Sequence, residues 1–307
     1  MASHSISPFQ AFLMILLIVF WGSSFVVVKQ LLDVGLTPIA IATFRFLLAG
    51  ALFIAALGLK KRASQNYRLR VDRKDLPVLL VLGLIGVTFF FTVQYTGIQL
   101  AGASVAAIMV CLMSPIIITV ISARLFGDHL RKRQFLGIAV AAAGTLLVVL
   151  ADLLNLKGST SFLVGTLILL LTPLMWAGYS ILGQKIMQKY DAFLVVAYVS
   201  LLGGVCLLPF SLAEGSFIQI FTMSISDWLW VLYLAFTCSL LGYYIWFYVL
   251  NKAGATASTF LFGEPLITAV FAVMFINEIL YPSVIAGAIL IFIGVFMVTF
   301  NNRKNKT

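Results

Sequence analysis

Three sets of residues in this 307-residue chain have the types and spacing to do chemistry. Glu264 precedes Pro265 at the end of GATASTFLFGEP, residues 254–265, where it is the one carboxylate in an apolar run. Arg45 lies inside a second apolar run, IAIATFRFLLAG. Thr88, Phe91, Tyr95 and Gln99, and likewise Thr172, Trp176, Tyr179 and Gly183, recur three or four residues apart, so each set shares one helix face. A carboxyl in such a setting either couples a proton or recognises an amine, or it caps a helix break made by the proline and packs between helices. An arginine there either meets an anionic group, or pairs with a neighbouring helix or snorkels to the surface; the structural reading is favoured.

The medium decides what these groups face. The chain is 62% hydrophobic and 10% charged, against about 25% charged in an ordinary soluble domain. Ten apolar runs follow one another over residues 9–31, 38–59, 76–97, 103–125, 133–151, 162–187, 192–212, 227–250, 257–276 and 282–300. Each is long enough, at about 1.5 Å per residue, to cross a hydrocarbon layer about 30 Å thick. Backbone polar groups in lipid must pair within their own segment, so runs this long predict helices rather than barrel strands. The opening MASHSISPFQ has no Lys or Arg and lacks an Ala-x-Ala pattern, so the first run reads as a retained helix.

Charge supplies the topology. With loops assigned alternately to two sides, 17 of the 20 cations fall on one side, Lys29 and Lys157 on the other, and Arg45 within the second run. That asymmetry places both termini in the cytoplasm of a multi-pass cell (inner) membrane protein. It also accounts for the net charge of +10 without a nucleic-acid partner; the lipid bilayer is the partner it implies. Cys111, Cys206 and Cys238 fall inside apolar runs and read as small hydrophobes, and His4 and His129 as surface residues. No cofactor fingerprint or metal-ligand cluster appears, and no nucleophile and base stand in a recognisable spacing.

The chain also repeats itself. At an offset of 150, Pro115 meets Pro265, Asp128 meets Glu278, Gly137 meets Gly287 and Gly144 meets Gly294. AGAS at 101–104 resembles AGAT at 253–256, and Trp21 and Trp176 correspond. Five runs per half is an odd number, so the halves must enter the membrane in opposite senses, as an inverted repeat. The expected organisation is a first half at 9–151, a polar linker at 152–161 and a second half at 162–300.

WGSSF in the first run, ArgPhe at 45 and 46, SerPro and GluPro in the fourth and ninth runs, GlyAsp and AsnGlu after them, and paired glycines in the fifth and tenth resemble the EamA-type family of the drug/metabolite transporter superfamily. The resemblance implies an all-α integral membrane fold of ten transmembrane helices, as two inverted five-helix repeats around a central cavity. It also implies alternating access and export of small metabolites such as amino acids, while distant relatives carry nucleotide sugars or sugar phosphates. The residues expected to line the cavity are Trp21, Ser24, Thr88, Phe91, Tyr95, Gln99, Trp176, Tyr179, Tyr243, Trp246, Phe247 and Glu264. Glu264 is the candidate for proton coupling, and Pro115, Pro173 and Pro265 are either hinges or fixed kinks. The rival readings are a drug carrier, a receptor-like scaffold or an intramembrane enzyme.

Overall fold

Helix starts are written into the sequence as caps. Ser7 and Gln10 form a reciprocal capping box ahead of Pro8, and Ser224 and Asp227 form another. The side chains of Thr37 and Asp191 cap the helices that follow them. The computed structural model describes residues 7–64, 67, 69–126, 132–150, 160–253 and 260–299. Its helices are α1 (Pro8–Asp33), α2 (Pro38–Ala63), α3 (Arg73–Ala101), α4 (103–126), α5 (Lys132–Val149), α6 (Thr160–Lys189), α7 (Ala192–Ala213), α8 (225–253), α9 (Phe260–Ile276) and α10 (Pro282–Thr299). α1 to α8 contain stretches long and apolar enough to cross a membrane; α9 and α10 are shorter apolar helices. No strand occurs among the described residues. Large apolar side chains such as Phe12, Leu146, Leu266 and Met274 point outwards at 58 to 68% exposure, the surface that acyl chains solvate.

Three helices widen into π-turns among the described residues. α3 widens into a π-turn at Leu84–Phe89, α4 at Ile108–Leu112 and α8 at Leu234–Leu241. Those in α3 and α8 begin 150 residues apart, and each carries a hydroxyl bonded five residues back: Thr88 to the Gly83 carbonyl at 3.4 Å and Ser239 to the Leu234 carbonyl at 3.1 Å. Such wide turns concentrate where a helix has a function besides spanning. The prolines sit at related irregularities. Pro115 follows the α4 π-turn, Pro173 follows a break at Leu170, and Pro265 opens the α-helical part of α9.

α5 and α10 pack backbone to backbone. A Cβ on Gly137 would stand 2.8 Å from the Gly294 carbonyl oxygen, and one on Gly144 would stand 2.6 Å from that of Gly287. Early residues of one helix thus meet late residues of the other, so the pair runs antiparallel, and small residues allow the approach. α2 and α7 cross in the same sense, Gly50 against Leu201 and Gly204 against Phe46. Asp128, His4, His129, AGAT beyond Ala253, and the 152–161 linker up to Ser159 lie outside the described residues.

Candidate functional site

Depth and helix phase bring a group of polar and aromatic side chains together where α1, α2, α3 and α8 meet. Arg45, 4% exposed, projects from α2 about 10 Å along the helix from Pro38. Its Nε donates to the Ser239 hydroxyl at 3.1 Å and its Nη1 to the Tyr95 hydroxyl at 2.7 Å. The guanidinium carbon lies 4.8 Å from the Phe91 ring centre and 5.2 Å from that of Phe46. Phe46 and Phe91 touch at 4.5 Å, and Phe91 and Tyr95 at 5.5 Å.

α1 closes one side of this group. Trp21 Nε1 donates to the Cys238 carbonyl at 2.9 Å, inside the α8 π-turn whose widened backbone frees that acceptor. Its ring packs on Tyr243 at 5.7 Å and Trp246 at 6.1 Å. Tyr243 stacks in turn on Phe247. Ser23 and Tyr233 share a hydrogen bond of 2.6 Å, whereas Ser24 turns back to the Trp21 carbonyl.

Glu264 is 7% exposed and stands in the first turn of the α-helical part of α9. The residue before it, Gly263, occupies the N-cap position and offers no side chain to close that helix start. It faces the Cys111 thiol in the α4 π-turn. α9 is held against α1 by the Thr268 hydroxyl, which donates to the Gly22 carbonyl at 2.9 Å. Tyr243 lies within electrostatic reach of both Arg45 and Glu264.

The remaining expected residues fall differently. Tyr179 packs flat on Gly86 of α3, where a Cβ would meet its ring at 2.5 Å, and Trp176 joins it at 5.5 Å with Phe90 beyond. Thr88 is buried but turns to α7, donating to the Gly203 carbonyl at 3.0 Å. Gln99 is exposed near the end of α3, and Gln94 is the buried glutamine of that helix. Ser23, Tyr233, Ser239 and Gln94 carry no signal in the sequence; Ser239 owes its place to a helix that widens locally, which no spacing rule singles out.

Both ends of the bundle are tied. On the cation-rich side Lys189 pairs with Asp75 and with Asp72, the latter at 3.0 Å, and Asp191 receives Lys60 at 3.4 Å and the Tyr67 hydroxyl at 2.9 Å. On the other side the Glu278 carboxylate accepts from the Ala103 and Ser104 amides at 3.0 Å each, where Gly102 takes φ +95° to start α4. Gln219 there donates to the Gly35 carbonyl and accepts from the Thr37 amide. Surface concavities lie beside Tyr67 and Arg70, about 650 Å³, and beside Gln219, about 70 Å³.

Comparison with known proteins sets this geometry in a family. A relative in Archaeoglobus fulgidus named "Uncharacterized transporter" is 29% identical over 95% of this chain and 98% of its own. A "Probable amino-acid metabolite efflux pump" of Salmonella typhimurium is 28% identical over 96% of both chains. A solved structure titled "Crystal structure of protein" shares the fold with a TM-score of 0.63 at 21% identity, covering 96% of this chain and 99% of that one. The EamA-like transporter family matches twice in tandem, over residues 8–150 and 163–300, and the chain belongs to that family.

Proposed function

We propose that the protein is a secondary transporter, ten helices arranged as two inverted five-helix repeats (9–151 and 162–300), which exports small metabolites such as amino acids by alternating access. The contact between α5 and α10 carries the reading. Gly137 meets Gly294, the repeat-equivalent of Gly144, and Gly144 meets Gly287, the repeat-equivalent of Gly137, the pattern of a two-fold axis relating inverted halves. The paired π-turns 150 residues apart in α3 and α8 support the same axis. Two such halves can exchange conformations, so the ties at either end of the bundle would break in turn.

The solute's place in this reading is the centre bounded by Trp21, Ser24, Phe91, Tyr95, Trp176, Tyr179, Tyr243, Trp246 and Glu264, with Thr88 and Gln99 at its margins. Pro115, Pro173 and Pro265 serve as hinges because each already marks a helix irregularity. The efflux-pump names of relatives at 27 to 28% identity support amino-acid metabolites as cargo. The charge asymmetry supports cytoplasmic termini in the inner membrane. Glu264 is the proton-coupling group. Purified protein in proteoliposomes should accumulate labelled amino acids under an imposed pH gradient, and Glu264→Gln should lose that accumulation while retaining downhill exchange. Flux no greater than in protein-free vesicles removes the transporter reading; accumulation unchanged in the variant removes Glu264 from coupling alone.

A further inference from the structure

Arg45 is a buried cation with no anion beside it. Its protein partners are two neutral hydroxyls, Tyr95 and Ser239, and two aromatic faces. Among the described residues no acidic side chain forms an ion pair with it, and Glu264, the other ionisable group at this depth, stands against Cys111 on α4. An unpaired charge at such depth is costly, and a protein retains one where a ligand completes it.

The hydrogen-bond accounting is more specific. Nε and Nη1 are used, while Nη2 has no acceptor among the described residues. Nor is Nη2 sealed off, because the single fully enclosed side-chain polar atom without a partner among the described residues is the Ser104 hydroxyl. Tyr95 uses its oxygen to accept from Arg45, and its own proton has no acceptor. Nη2 and the Tyr95 hydroxyl proton therefore belong to two groups joined by the 2.7 Å Nη1 bond, and neither has anything to donate to among the described residues, beside the Phe46 and Phe91 rings. That is the donor set a carboxylate takes, one oxygen from the guanidinium edge and one from the phenol.

We propose that Arg45 and Tyr95 form a carboxylate-binding site and that the transported solutes carry a carboxylate, held there with their apolar part against the aromatic ring set. The site deepens the transporter reading and rests on it. A solute that also carries an amine has the buried Glu264 carboxyl as the acid at this depth to receive it. Phosphate esters of sugars are disfavoured, because one guanidinium is the whole buried cationic complement among the described residues.

The test uses full-length protein and matched triplets: L-phenylalanine, 3-phenylpropionate and phenethylamine, then L-leucine, 4-methylpentanoate and isoamylamine. Each compound is measured by thermal shift of the detergent-purified protein and by its ability to drive exchange in proteoliposomes. The wild type should bind the carboxylate-bearing members at least tenfold more tightly than the matched amines. Arg45→Gln should abolish that preference, Arg45→Lys should restore part of it, and Tyr95→Phe should weaken it. The wild-type ranking needs no variant, so misfolding of Arg45→Gln leaves the test intact. Amines that bind as well as the acids, a folded Arg45→Gln that keeps the tenfold preference, or indifference to all six compounds overturns the site. Exchange of the amines without carboxylate preference sinks this inference and spares the transporter; absence of any flux sinks both.

Discussion

The α5–α10 contact makes a quantitative prediction about a single methyl group. In Gly144→Ala the new Cβ would lie 2.6 Å from the Gly287 oxygen and 2.8 Å from the Ile291 nitrogen, and neither is a side-chain end that can swing away. Relief requires the helix axes to part by about 0.8 Å, a gap that forfeits a quarter to a half of each dispersion contact across the seam. Overpacking of this kind costs about 1–3 kcal/mol, and the better helix propensity of alanine returns up to about 1 kcal/mol. Net destabilisation therefore falls between about 0 and 3 kcal/mol, and the outcome is always less favourable than the same change at a glycine with no clash. Gly58 on α2 isolates the propensity effect, since nothing lies within 4 Å of its Cβ position, so Gly58→Ala should be neutral or stabilising. Gly287→Ala repeats the clash from the other side, 2.7 Å from the Gly144 oxygen. One separation relieves both, so the double variant should lose less than the two single losses together by at least about 0.5 kcal/mol. Helical circular dichroism during sodium dodecyl sulfate titration of mixed micelles measures all four variants. Gly144→Ala as stable as Gly58→Ala, or an additive double variant, refutes the shared seam.

Glu278→Ala removes both acceptors from the start of α4 and should cost about 1 kcal/mol in thermal unfolding, with Glu278→Gln losing less; a loss no larger than in Glu278→Gln counts against the cap. Ser104→Ala should be neutral or stabilising in the same measurement, because its enclosed hydroxyl has no partner to lose. Lys189→Met removes the exposed pairs to Asp72 and Asp75. If those pairs hold the cation-rich end shut, their loss raises the open population, read as faster maleimide labelling of Cys111 in a Cys206→Ser background. Unchanged labelling there would assign the pairs to surface charge alone.

Helix positions were legible because lipid imposes them: Ser7 with Pro8 and Thr37 with Pro38 mark starts, and an apolar run of the right length does the rest. The glycine pairs were legible as packing faces, although not as faces for each other, since spacing within a helix carries no information about its partner. The α3 stripe was less legible. Thr88, Phe91, Tyr95 and Gln99 share a face on an ideal helix, but the π-turn at Leu84–Phe89 changes the phase between Thr88 and the residues that follow. Thr88 therefore turns to α7 while Phe91 and Tyr95 meet Arg45. Gln94 takes the burial expected of Gln99. A π-turn depends on tertiary contacts, here the Gly203 carbonyl and the Tyr179 ring against Gly86, so no local pattern announces it. Arg45 was visible as a charge at depth, yet its orientation is fixed by Ser239 and Tyr95, which lie 194 and 50 residues away.

On the proposed two-fold, the scaffold is duplicated and the chemistry is not. Glu264 corresponds at an offset of 150 to Ser114, which is buried and spends its hydroxyl on its own helix at the Val110 carbonyl. Arg45 corresponds, at the offset of 155 that relates Trp21 to Trp176, to Ser200, also buried. Each ionisable group at depth thus faces a small neutral residue in the other half. Symmetric motion needs equal packing in the two halves, which the glycine seams supply, whereas selective binding needs unequal poles. A solute anchored by a carboxylate at Arg45 has one orientation in the site, and because Arg45, Tyr95 and Tyr243 belong to the centre rather than to either tied end, it can keep that orientation while the ends exchange. Restoring the symmetry by Arg45→Ser would leave the halves able to move with nothing to hold such a solute, so conformational labelling at Cys111 should persist while exchange of carboxylates is lost.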